Sequence, residues 1–145
     1  MRSPLAEVLQ RELELLQELR EACRREQECL RRDDLDGIRE GLSVKEQIIQ
    51  ELMRLEQHRE ELHRQVAAEY RVSPEAGVKG LLAVEALRDE LGETVERLQA
   101  VLRELKEINE TNTLLLRQSL AYARKMLSLL TRHLEQRCLR IDRSV

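Results

Sequence analysis

The sequence predicts an all-α protein, an elongated antiparallel helical bundle or coiled coil of three long helices. Three observations carry that expectation. Of the 145 residues, 86 are Ala, Glu, Lys, Leu or Arg, a composition typical of long helices. There is no Phe or Trp, and the only aromatics are Tyr70 and Tyr122, so a core must be built from Leu, Ile, Val and Ala in narrow layers. Apolar residues recur in steps of three and four, whereas the period-two alternation of half-buried strands is absent. One helical-bundle domain is expected over residues 1–145, with helices at about 5–32, 35–71 and 74–136.

The first helix follows doublets seven residues apart, Val8-Leu9, Leu15-Leu16, Ala22-Cys23 and Cys29-Leu30, which keep one face apolar through four heptads. Glu-to-Arg pairs four residues apart, such as Glu7/Arg11 and Glu21/Arg25, support the wet face. Asp33-Asp34-Leu35-Asp36-Gly37 then reads as a turn whose carboxylates cap a new helix. That second helix carries Leu35, Ile38, Leu42, Ile49, Leu52, Leu55, Leu62 and Val66. Ser43-x-x-Glu46, a capping box, also allows its regular part to begin near Val44. Ser73-Pro74 separates the second helix from the third, with Ser73 expected as N-cap and Pro74 at the first helical position.

Gly77 and Gly80 weaken the start of the third helix. From Val84 its seam is strict: Val84, Leu87, Leu91, Thr94, Leu98, Val101, Leu105, Ile108, Asn112, Leu115, Ser119, Tyr122, Met126, Leu129, His133. A helix over 84–134 would be roughly 75 Å long, against roughly 42 Å and 54 Å for the first two. The last helix is therefore expected to overhang its partners, with any break falling between Gly80 and Gly92.

A second apolar stripe flanks that seam at Val95, Leu102, Asn109, Leu116, Ala123 and Leu130. Beyond Asn112 a third one joins it at Leu120, Leu127 and Leu134, and the apolar face widens from roughly 100° to roughly 150° where the other helices run out. Soluble proteins keep large apolar patches mainly for partners. Asn109 and Asn112 stand where the change begins. A seam amide fixes register at a cost in stability, either by meeting polar groups of neighbouring helices or by dividing an internal seam from a partner-binding face.

Net charge is −3, unevenly spread. Residues 113–145 hold seven Arg/Lys against Glu135 and Asp142, or +5, which leaves −8 on residues 1–112. Arg117, Arg124, Lys125 and Arg132 form a basic stripe beside the wide face, suited to acidic partners or simply to solvent. No segment is apolar enough to insert in a membrane, and no signal-type apolar stretch opens the chain. Cys23, Cys29 and Cys138 form an odd set without CxxC, as in a reduced, cytoplasmic protein.

The residues point away from catalysis. Cys23 and Cys29 diverge on one helix, as do His58 and His63, which are expected in solvent, and His133 stands alone, so no metal site is expected. A glycine-rich phosphate loop is missing, and carboxylates alternate with arginines on wet faces. Neither an enzyme nor a cofactor is expected. A nucleic-acid partner is not expected either, because the basic tail lacks aromatic platforms and a docking motif.

Residues 109–122 read Asn-x-x-Asn-x-x-Leu-Leu-x-x-Ser-Leu-x-Tyr, and this resembles the C-terminal signature of the FlgN family of flagellar export chaperones. The acidic turn at Asp33–Asp36, followed by Ile38, Leu42, Lys45 and Ile48, resembles the start of that family's second helix. The resemblance implies a cytoplasmic all-helical chaperone for the terminal helices of the hook–filament junction proteins FlgK and FlgL. It further implies delivery to the flagellar type III export gate through the cytoplasmic domain of FlhA. The family's client-binding region falls here on Leu115, Leu116, Ser119, Leu120, Tyr122, Ala123, Met126, Leu127 and Leu130. Asn109 and Asn112 lie at its near edge and are taken with it as partner-binding residues. Members often continue in a polar tail, whereas this chain stops at Val145. The competing arrangement is a structural coiled coil, a homodimer through the last helix in which Asn112 pairs with its counterpart.

Overall fold

A computed structural model describes the backbone of residues 2–144 and the side chains as far as Arg137. Helix α1 spans Pro4–Arg32. The Ser3 hydroxyl accepts the Ala6 N–H at 3.3 Å, and Pro4 occupies the first turn, where its missing donor costs nothing. Asp33 ends α1 in the left-handed region at φ 54°, and the Asp34 N–H turns back to the Cys29 carbonyl at 2.9 Å.

Asp34 immediately caps α2, Leu35–Glu69, accepting the Gly37 N–H on Oδ1 at 3.0 Å. A Cβ at Gly37 would sit 2.5 Å from Asp34 Oδ2 and 2.6 Å from Cys29 Sγ, so glycine is what lets the corner close this tightly. The helix thus starts at Leu35, and the capping-box residues Ser43 and Glu46 lie inside it.

Ser73 behaves differently from its expected role. Its hydroxyl donates to Glu75 Oε2 at 2.6 Å in place of capping, holding the Glu75 carboxyl below its ordinary range. Pro74–Ala76 forms a single 3-10 turn, and Gly77, at φ 68°, opens the short α3, Gly77–Leu82. The break before the last helix falls at Ala83–Val84, inside the expected interval. Helix α4, Glu85–Ser144, then runs straight through Gly92, 60 residues or roughly 90 Å.

Helix α1 lies in the middle and packs along both α2 and α4, which make no extended contact with each other. It runs antiparallel to α2, as Arg11–Glu51, Glu12–Arg59 and Glu26–Lys45 show. It runs parallel to α4, since Ser3 meets Glu90, Arg20 meets Glu104 and Cys23 meets Asn112. The core lies between α1, α3 and the first third of α4, with Leu9, Leu13, Leu81, Leu91 and Leu98 among its members and Ala67 reaching in from α2. A fully buried leucine such as Leu13 or Leu91 contributes about 2 kcal/mol by removal from water.

The face that α2 buries is only partly the expected one: Leu62 and Val66 pack against the core, and Ile38, Leu52 and Leu55 are half-buried. Ile48, His63 and Ala67 are buried, whereas Leu35, Leu42 and Ile49 remain 67%, 51% and 44% exposed. Two neighbouring stripes of α2 are comparably apolar, and α1 is narrow enough to cover only one of them. His63, expected in solvent, is buried with Nε2 3.2 Å from the Pro74 carbonyl oxygen, so it joins α2 to the following turn. Cys23 is buried and desolvation pushes its thiol pKa up, as expected of a packing cysteine. Cys29 is half-buried beside Asp34, and the side chain of Cys138 lies outside the described residues.

Candidate functional site: a polar clasp and the bare helix beyond it

Asn112 is the last fully buried seam residue of α4, with 3% of its surface exposed. Its Nδ2 donates to the Cys23 carbonyl at 2.9 Å and to Glu26 Oε1 at 3.0 Å. The other oxygen of Glu26 receives Lys45 of α2 at 2.5 Å. One carboxylate therefore ties α4, α1 and α2 together at a single level. Such a network stabilises only when its members find partners, which makes it a register mark for the three helices. Asn112 Oδ1 alone has no partner among the described residues. The seam is interrupted because an amide here reaches a carbonyl and a carboxylate on α1 that leucine could not satisfy. Asn109 sits one turn earlier on the flanking stripe, where its side chain is exposed.

Past the clasp α1 ends and α4 continues. A groove of 690 Å³ opens there, lined on α4 by Leu115, Leu116, Ser119, Leu120, Tyr122 and Ala123. Its opposite wall comes from the α1–α2 corner, through Leu30, Asp33, Leu35 and Ile38. The structure thus brings six of the expected partner-binding residues to one groove. Met126, Leu127 and Leu130 lie farther out, where every described residue from Tyr122 to Arg137 is exposed. Leu120, Leu127 and Leu134 are 49%, 66% and 61% exposed, with no other described helix over them.

Leu35 and Ile38 belong to the groove, although their periodicity marked them as ordinary core positions of the second helix. The signal that singles out Leu35 is its place among Asp33, Asp34 and Asp36, at a corner where no neighbouring helix can cover it. The stripe of Arg117, Arg124, Lys125 and Arg132 is exposed, and none of the ion pairs among the described residues uses it.

The described residues contain no cluster of His, Cys, Asp or Glu able to hold a metal ion, and none of their helices is long and apolar enough to cross a membrane. What the arrangement offers chemically is a long apolar helix face with basic borders, suited to packing against other helices. No curated protein and no solved structure matches the chain. The family model described as FlgN protein matches residues 1–139, from the first turn of α1 to the bare end of α4. A helical bundle with an uncovered terminal helix, matched over nearly its whole length, belongs to the FlgN family of flagellar export chaperones.

Proposed function

We propose that this chain is a cytoplasmic chaperone for the terminal helices of the hook–filament junction proteins FlgK and FlgL. In this reading it keeps them from assembling early and hands them to the cytoplasmic domain of FlhA at the export gate. Residues 1–145 act as one domain, an assignment supported by a core cluster that draws on all four helices. The observation that carries the proposal is the uncovered face of α4 beyond the clasp, where Leu116, Leu120, Leu127 and Leu130 remain about half exposed or more.

A client helix laid against that face removes both apolar surfaces from water at once. A stable complex needs on the order of 800 Å² buried on each partner, so recognition must run over several turns from Leu115 outward. Asn109 and Asn112 lie where the client's register would be set, Asn112 by fixing α4 itself.

The test is a binding titration with a peptide spanning the C-terminal helix of a FlgK-type protein. Leu120→Asp and Leu127→Asp should keep the helical circular dichroism of the parent and bind the peptide on the order of a hundredfold more weakly, since each would bury an unpaired carboxylate. Parent-like affinity in both variants would refute the proposal, and unfolding of either would show that these leucines serve the core.

A further inference from the structure

Because α2 and α4 flank α1 without extended contact, two spaces open between them above α1, one on either side of the Asn112–Glu26–Lys45 clasp. One is the 690 Å³ space beside Leu35 and Ile38. The other is a 380 Å³ space walled by Leu52 and Glu56 of α2 and by Val95 and Leu102 of α4, with Leu9 and Leu16 of α1 as its floor. Steps of three and four along α2 connect the two spaces through Leu42, Lys45 and Ile49, which places Leu42 and Ile49 on the face between them. Opposite, α4 presents Val95, Leu102, Asn109 and Leu116 at intervals of seven. Leu42, Ile49, Leu102 and Leu116 are each between 44% and 51% exposed, so neither wall is covered.

We propose that the two spaces act as one groove that seats an amphipathic helix of the protein client, lying lengthwise between α2 and α4 over the clasp and completing a four-helix bundle. The inference rests on the chaperone reading above and extends its binding surface from the bare tip into the body. The geometry selects a helix. Both walls are helices whose backbone groups bond internally, so an extended peptide finds no edge to pair with. Heptad-spaced rows on two parallel walls accept the side chains of a third helix as knobs into holes. From Leu35 to Glu56 the groove is roughly 31 Å long, room for a helix of about 20 residues.

Helix α4 does not itself fold back to supply the occupant. No Gly or Pro occurs between Glu93 and Val145, so α4 has no residue at which to turn back upon its own bundle. Asn109 is the one polar member of the α4 row, and its exposed amide asks for a polar residue at the matching position of the client, which would set the client's register.

The experiment uses the same FlgK-type C-terminal helix peptide with Leu42→Glu, Ile49→Glu and Leu102→Glu, each checked for parent-like helicity. Each groove variant should bind at least tenfold more weakly than the parent. If all three bind within twofold of the parent while Leu127→Asp loses the peptide, the groove inference falls and the chaperone reading stands. If neither the groove nor the tip variants weaken binding, both fall. Should a groove variant unfold, Met53→Glu, next to Ile49 on the same side and 61% exposed, repeats the measurement. Groove variants that dissolve a dimer of the free protein without changing peptide affinity would assign the groove to a second copy and overturn the proposal.

Discussion

At the scale of single residues, Asn112 decides how α4 sits. Its amide protons meet two acceptors, the Cys23 carbonyl and the Glu26 carboxylate. Asn112→Asp would keep the shape and remove both donors, placing a carboxylate against acceptors only. We expect a loss on the order of 3 kcal/mol at pH 7, or roughly 10 °C in Tm. The loss should shrink as the pH is lowered and the new carboxyl takes up a proton, which thermal melts at pH 7 and pH 4 would reveal. Glu90 gives a second pH-dependent contribution. The Ser3 hydroxyl and N–H hold its carboxyl below the ordinary value of 4.5. A depressed folded pKa contributes stability that is present above that value and is lost as the pH falls through the folded one. Glu90→Gln should therefore lower stability at neutral pH and leave the acid end, where the carboxyl is protonated folded or unfolded, nearly unchanged, so that the curve falls less steeply toward low pH.

Among the elements, α1 is the one that α2 and α4 both need. Leu98 of α4 sits in the cluster shared with Leu9, Leu13 and Leu91. Leu98→Asp should cost more than about 4 kcal/mol, a large part of the stability of an ordinary domain, and circular dichroism should show lost helix at room temperature. A folded Leu98→Asp protein would mean the seam faces elsewhere. Most of the helices were legible in the sequence, because Asp33-Asp34 and Ser73-Pro74 mark ends chemically and the α4 seam never slips a step, whereas the Ser3 cap of α1 was not read there. Other features were not legible. Whether Ile48 or Ile49 is buried depends on how wide a neighbour α1 is, and the burial of His63 depends on where the Pro74 carbonyl lands. Both are properties of packing that no local pattern encodes. The widening of α4 was legible in its residues, whereas the contribution of Leu35 and Ile38 to the same groove needed the corner in three dimensions.

For the whole molecule, the bundle and the bare end of α4 are energetically separable. The described residues beyond Ala123 bury nothing against the rest of the chain. A chain shortened after Ala123 should melt within about 3 °C of the full one, the shift that roughly 1 kcal/mol produces in a chain of this size. It should nonetheless bind the junction-protein peptide far more weakly. A truncated chain that failed to fold would show that the tip supports the bundle.

The parallel course of α1 and α4 has a practical corollary. Ser3 lies beside Glu90, near the beginning of α4, while the bare segment leaves from the other end of the bundle. A fluorophore or affinity tag attached in front of Ser3 would therefore ride tens of ångströms from the leucines of the tip. The same label fused after residue 145 would crowd them, and amino-terminal labelling is the placement that leaves the bare leucines clear.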